Sequence, residues 1–156
     1  MSGMHVVVAT DGSRQSLAAA NHLRSFADPG AIAQVTVLAV VRPLAAVSFV
    51  DELSDAGRSS TEREVATFRA AAKASTEAVG AVFEGWGPKV RRVVRSGSPA
   101  NEIIKVAEQT DAGLVVVAAG GRGLSDRVLL GSTAQRVQQY APCPVLVVRP
   151  APRRRR

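Results

Sequence analysis

Short apolar runs alternate along the chain with longer segments in which apolar residues recur at helical spacing. The runs are rich in valine and other aliphatic residues and lie at residues 5–10, 35–41, 90–95, 114–118 and 144–148. Short runs of this composition are typical of buried strands, whereas recurrence at i, i+3 and i+4 is typical of amphipathic helices. The pattern therefore predicts five strands with helices between them.

The residues between the runs indicate where the helices begin. Ser13 suits the N-cap of the first helix, and Ser98 suits that of the third because a proline follows it at the first helical position. The second helix is predicted over residues 61–82, with Val65, Phe68 and Val79 on one apolar face. Residues 42–60 are less regular and predict a long connection, and residues 132–140 predict the last helix.

Strands that alternate with helices indicate right-handed crossovers and a parallel sheet covered on both faces. The expected fold class is α/β: a single doubly wound domain over residues 1–150, with five mainly parallel strands in the order 3-2-1-4-5. The third run is the most polar, which favours an edge strand. Sheets of this kind bind ligands beyond the carboxyl ends of their strands, where the strand order reverses.

Composition narrows the class of protein. The 156 residues are 46% hydrophobic but only 4% aromatic, so the core must be aliphatic. No apolar run reaches the ~18 residues of a membrane span, and no export signal is visible at the N-terminus. The lone Cys143 cannot form an internal disulfide and is interpreted as a small apolar residue. These features predict a cytoplasmic protein.

The net charge of +7 raises the question of nucleic-acid binding, but the excess is concentrated at the end of the chain. Four of the 20 basic residues are the arginines at 153–156, which leaves a small excess over the 13 acidic residues. We interpret residues 151–156 as a solvated basic tail, with weak attachment to RNA, DNA or anionic lipid as the alternative. No helix-turn-helix or aromatic stacking motif supports specific nucleic-acid recognition.

A glycine-rich segment between the fourth strand and the last helix is the best candidate for phosphate binding. Three glycines within residues 120–123 allow the backbone to approach a ligand closely. At the other end, Gly131, Ser132 and Thr133 offer amides and hydroxyls at a helix N-terminus, which favours phosphate. Residues 132–135 also fit a capping box that needs no ligand. Local features leave both interpretations open.

The spacing in this segment resembles the G-x2-G-x9-G-[ST] pattern of nucleotide-binding universal stress proteins. Gly121, nine residues, Gly131 and Ser132 match it without a gap, while Ala118 stands where the first glycine is expected. A register that uses Gly120 and Gly123 leaves only seven residues before Gly131. The methyl group of Ala118 either lies harmlessly near the ligand or crowds the ribose or phosphates.

Three other segments, 8–13, 97–104 and 142–148, resemble the same family in the expected order. The resemblance implies an ATP-binding, or more broadly adenine-nucleotide-binding, stress-response protein that acts as a sensor or regulator. It implies ATP as the ligand, with or without Mg²⁺, and a homodimer formed through the last strand. The residues assigned to the nucleotide are Thr10, Asp11, Val40, Ala118, Gly121, Arg122, Gly131, Ser132 and Thr133.

The resemblance also suggests what individual residues do. Asp11 is expected near the ribose or adenine, and Val40 is expected to contact the base through its backbone. Simpler interpretations are a helix-start residue for Asp11, a core residue for Val40 and a solvated side chain for Arg122. No catalytic residue and no metal site are predicted. A slow ATPase and a dimeric interaction module that binds no nucleotide are the alternative functions, and Ala118 favours the second.

Overall fold

Strands and helices alternate along the described chain. The computed structural model describes residues 3–43, 55–120 and 130–150, and only the backbone of residues 55–61. The strands are β1 (Met4–Thr10), β2 (Ile32–Val41), β3 (Lys89–Ser96), β4 (Leu114–Ala118) and β5 (Val145–Val148). The helices are α1 (Arg14–Phe26), α2 (Asp55–Val82), α3 (Pro99–Gln109) and α4 (Ser132–Tyr140), with a 3-10 turn, Pro29–Ala31, before β2.

The sheet has the strand order β3-β2-β1-β4-β5, and every neighbouring pair is parallel. This confirms the predicted order and places β3 at an edge. The chain moves outward from β1 through β2 to β3, then returns to pair β4 with the other side of β1. The strand order therefore reverses between β1 and β4, and a crevice is expected at their carboxyl ends.

Two aliphatic clusters cover the two faces of the sheet. Alternate residues of β1 point to opposite faces, so Val6 and Val8 pack in the cluster that contains Leu23 of α1 and Phe83 after α2. Val7 packs instead in the cluster that α3 and α4 supply. Cys143 packs against this second cluster, and burial raises the pKa of its thiol, which agrees with its interpretation as a small apolar residue.

Helix α2 departs from the prediction in its start and in the exposure of its predicted apolar face. It begins at Asp55 rather than at residue 61. Val79 is 2% exposed, but Val65 and Phe68 are 38% and 49% exposed, so the predicted apolar face is buried only in part. A 28-residue helix extends about 40 Å, longer than the about 25 Å of β3. The sheet can therefore bury only part of the length of α2.

No helix within residues 3–43, 55–120 and 130–150 is both long and apolar enough to cross a membrane.

Candidate functional site

A cavity of about 760 Å³ opens at the carboxyl edge of the sheet, next to the reversal in strand order. Small-molecule sites commonly have volumes of about 300–1,000 Å³. Seven of the nine residues predicted from the sequence line this cavity: Thr10, Asp11, Val40, Ala118, Gly131, Ser132 and Thr133. The other two, Gly121 and Arg122, lie outside the described residues. The residues assigned separately along the chain thus surround one cleft.

The end of β1 forms one polar side of the cleft. Asp11 is exposed, and its Oδ1 accepts a hydrogen bond of 2.9 Å from the amide of Ser13. This is an Asx turn. Gly12, inside the turn, has a φ of +81°, which glycine adopts without strain. Asp11 is therefore a helix-start residue, as the simpler interpretation held. It also presents an oriented carboxylate to the cleft.

Three hydroxyl groups meet behind this turn. The Oγ1 of Thr10 lies 2.9 Å from Oγ of Ser16 and 2.7 Å from Oγ of Ser75, and it accepts from the amide of Gly12 at 3.2 Å. Thr10 and Ser16 are 7% and 2% exposed, so the cluster is largely shielded from water. Sequence reasoning missed Ser16 and Ser75. The position of Ser16, one turn after the N-cap residue Ser13, was a signal in the sequence, but only the fold brings Ser75 here.

We expect Ser75→Ala to lower the free energy of unfolding by about 0.5–1 kcal/mol. The lost hydrogen bond to Thr10 costs about 1 kcal/mol, and the better helix propensity of alanine offsets part of that loss. Thr67→Ala is the matched control, because Thr67 is an exposed residue of α2 whose hydroxyl bonds within its own helix. Urea denaturation measures both variants. Equal stability of the two would show that the hydroxyl cluster does not tie α2 to β1.

The N-terminus of α4 forms the opposite polar side. Its N-cap is Gly131, with φ −57° and ψ 154°, and Ser132 is the first helical residue. The capping box expected as an alternative over residues 132–135 is therefore wrong: the helix starts one residue too early for Ser132 to cap it. Gln135 instead donates from its side chain to the carbonyl of Leu130 at 3.0 Å. A glycine N-cap has no side chain to accept from the first-turn amides.

A backbone hydrogen bond holds this helix start against β4. The amide of Gly131 donates to the carbonyl of Ala119 at 2.7 Å. Ser132, Thr133 and Ala134, which form the first turn of α4, all line the cavity. An uncapped helix N-terminus carries roughly half a positive charge and presents amide donors. The first turn of α4 is thus a suitable position for an anionic group.

Between the two polar sides, the cavity is walled by apolar residues. Val40, near the end of β2, is half-buried and lines the cavity, so it is more than a core residue. Ala118 ends β4 and pairs with Val148 in an extended conformation that does not require glycine. The remaining apolar lining residues include Leu38, Ile103 and Val117. The cleft combines an apolar middle, a carboxylate at one side and amide donors at the other.

Charged groups are few in the described lining of the cleft, where Asp11 is the acidic residue and Arg42 the basic one. Within the described residues, no group of three His, Cys, Asp or Glu side chains is arranged to hold a metal ion. The arrangement can accept hydrogen bonds from hydroxyl groups near Asp11 and donate them to an anion at α4. A ligand with a polar, hydroxyl-bearing part and an anionic part would match both sides.

Solved structures of other proteins share this architecture. The hypothetical protein MJ0577 of Methanocaldococcus jannaschii is 25% identical and superposes with a TM-score of 0.75, covering 96% of this chain and 97% of that one. A universal stress protein from Archaeoglobus fulgidus in complex with dAMP is 18% identical, with a TM-score of 0.66 over 96% and 100% of the two chains. A further universal stress protein structure, in complex with cAMP, is 20% identical, with a TM-score of 0.62 over 97% of this chain and 100% of that one. The last two likenesses concern the fold alone.

Sequence comparison identifies the family. Universal stress protein MJ0531 of Methanocaldococcus jannaschii is 35% identical over 144 residues, which are 92% of this chain and 81% of that protein. The sequence profile of the Universal stress protein family matches residues 4–149. This match includes all five strands and all four helices of the described structure. The chain therefore belongs to the universal stress protein family.

Proposed function

We propose that the protein binds an adenine nucleotide, ATP in particular, and acts as a sensor or regulator in a stress response rather than as a dedicated catalyst. The observation that carries the proposal is the position of the glycine-capped start of α4. It lies in the same cavity as the Asp11 carboxylate, with an apolar wall in the middle. A nucleotide has the matching parts: phosphates, ribose hydroxyls and a flat base.

Each part of the nucleotide is assigned to the side of the cleft that suits its chemistry. The carboxylate of Asp11 accepts from ribose hydroxyls, and the apolar wall around Val40 contacts the base. The amides and hydroxyls of Ser132 and Thr133 donate to phosphate oxygens. Mg²⁺ commonly keeps several waters and binds phosphate oxygens, and any Mg²⁺ here would be held mainly by the phosphates, since Asp11 is assigned to the opposite side of the cleft. Gly121 and Arg122 stay predicted contacts.

The complexes of family members with dAMP and with cAMP support an adenine-containing ligand. The proposal is tested by purifying the protein without added nucleotide, denaturing it and identifying the released molecule by chromatography and mass spectrometry. We expect an adenine nucleotide. A stoichiometric ligand of another class would contradict the proposal. Phosphate release from ATP by the same sample then separates a sensor from the slow ATPase considered above.

Asp11→Asn is expected to weaken ATP binding by about tenfold. A hydrogen bond to a charged acceptor contributes about 1.5–3 kcal/mol, and the asparagine oxygen still accepts from the amide of Ser13, so the turn should survive. The ribose contact is tested by comparing ATP with 2′-deoxy-ATP in calorimetric titrations. The substitution should affect the deoxynucleotide less. Equal losses for both ligands would mean that Asp11 does not contact the 2′-hydroxyl, and unchanged affinities would remove Asp11 from the site.

We also propose that the protein forms a homodimer through β5. All four residues of this strand, Val145–Val148, are apolar, and each is only partly buried in the single chain. The strand lies at a sheet edge, where unpaired backbone amides and carbonyls flanked by apolar side chains tend to pair with another strand. Sedimentation equilibrium should therefore give twice the mass of one chain. A monomer at micromolar concentration would contradict this assembly.

A further inference from the structure

A second cavity, of about 450 Å³, adjoins the proposed nucleotide cleft. The two cavities share four lining residues, which are Arg42, Pro99, Ser132 and Thr133. The second cavity extends past the start of α4 toward the loop before α3, where Gly97 and Ser98 line it. A ligand group seated at the first turn of α4 could therefore continue into this space without leaving the protein surface.

The second cavity is basic. Its described lining includes Arg42 and Arg136 and no acidic residue. Neither arginine forms an ion pair with a carboxylate of the described residues. The first cavity has its acidic residue, Asp11, at the end of β1. The combined space thus carries a carboxylate near β1 and two cationic groups around the start of α4.

Contacts within the protein orient the Arg136 side chain. Its Nε donates to Oδ1 of Asn101 at 3.1 Å, and its guanidinium carbon lies 5.4 Å from the ring centroid of Tyr140. These contacts use one of the five N–H donors of the group and one face of its plane. The terminal N–H groups are not used by either contact. A planar donor held in this way is suited to phosphate oxygens.

The N-terminus of α3 contributes less than the arginines. A Cβ placed on Gly97 would lie 2.9 Å from Oε1 of Glu102, so this carboxylate already lies close to the helix start. Glu102 also lies 3.5 Å from the ammonium of Lys105. The positive end of α3 is therefore partly offset by the protein's own acidic group, and the two arginines supply the charge in the cavity.

We infer that the second cavity is a subsite for the terminal phosphates of a nucleoside di- or triphosphate. Arg136 and Arg42 are then the residues that distinguish these ligands from a nucleoside monophosphate. The inference rests on the proposed nucleotide function and specifies the ligand class that the site prefers. A monophosphate would end at Ser132 and Thr133, whereas a longer phosphate chain would reach both guanidinium groups.

The test is calorimetric titration of nucleotide-free protein with AMP, ADP and ATP. We expect ATP to bind at least about tenfold more tightly than AMP, since charged hydrogen bonds contribute about 1.5–3 kcal/mol. Arg136→Gln should weaken ATP binding about tenfold and change AMP binding less than about twofold. Arg42→Gln, just after the end of β2, should show the same selectivity. Arg91→Gln removes the same charge from β3, outside both cavities, and should change neither affinity.

The outcomes separate this inference from the proposed function. Equal losses for AMP and ATP in both cavity variants, or no loss in either, would overturn the subsite while nucleotide binding stood. A wild-type protein that binds none of the three ligands would overturn the proposed function, and the subsite with it. Thermal melting of each variant shows whether it is folded, and a folding defect at one position should not recur at the other, since Arg42 follows β2 and Arg136 lies in α4.

Discussion

Gly131→Asp is expected to weaken ATP binding by about 100-fold or more without destabilising the fold. The residue is the N-cap of α4, and its φ of −57° is open to any side chain. Aspartate is a favourable N-cap residue, so its carboxylate should accept from the first-turn amides and stabilise the helix slightly. The same carboxylate would occupy the donors meant for phosphate and repel the anion. A loss of about 100-fold corresponds to about 2.7 kcal/mol.

Gly131→Asn is the matched control for this variant. Asparagine caps helices about as well as aspartate but has no charge, so it should weaken ATP binding less. Titration calorimetry gives the affinities, and thermal melting confirms that both variants fold. If the aspartate variant bound ATP as tightly as the wild type, phosphate would not lie at the start of α4. The proposed binding mode would then be wrong, whatever the ligand.

Phe83→Ala is expected to cost about 3–5 kcal/mol of stability, the usual range for truncating a buried phenylalanine. Phe83 is fully buried just after α2, and its ring centroid lies 5.6 Å from that of Trp86. It joins α2 to the cluster formed by α1 and β1. Because domains are stable by only about 5–15 kcal/mol, this single change should remove a large part of the stability.

Phe26→Ala removes the same atoms from an exposed site and serves as the control. Phe26 is 59% exposed at the end of α1, so its loss should change the free energy of unfolding by less than about 1 kcal/mol. Urea denaturation at one temperature compares the two variants. A similar small effect at both positions would mean that the cluster around Phe83 is not tightly packed.

The five strands and the carboxyl-edge site could be predicted from local sequence pattern, whereas the strand order 3-2-1-4-5 followed from the doubly wound fold class. Buried parallel strands are continuous apolar runs. The glycines and small polar residues that follow each run mark the edge of the sheet where a ligand can bind. The early start of α2 could not be predicted, since periodicity detects a buried face and the described side chains at 62–71 are exposed. Val65 and Phe68 have helical spacing but are exposed, because the helix is longer than the sheet it covers.

Within the site, residues close to a motif could be predicted and residues brought in by the fold could not. Asp11 and Gly131 each stand at a strand end or helix start, so the sequence marks them. Ser75 comes from the middle of α2, and Arg136 lies within α4. Neither belongs to a motif, so only the three-dimensional arrangement relates them to the cleft. The cytoplasmic location, the domain over residues 1–150 and the basic tail over 151–156 stay predictions.

The most direct test of nucleotide binding is titration calorimetry of ATP into nucleotide-free wild-type protein. We predict saturable binding with one ATP for each chain. The heat should disappear when the same titration is made with Gly131→Asp, which remains folded. The absence of binding heat at two temperatures, together with an unchanged melting temperature in millimolar ATP, would contradict the account. The cleft would then belong to an interaction module that does not use ATP.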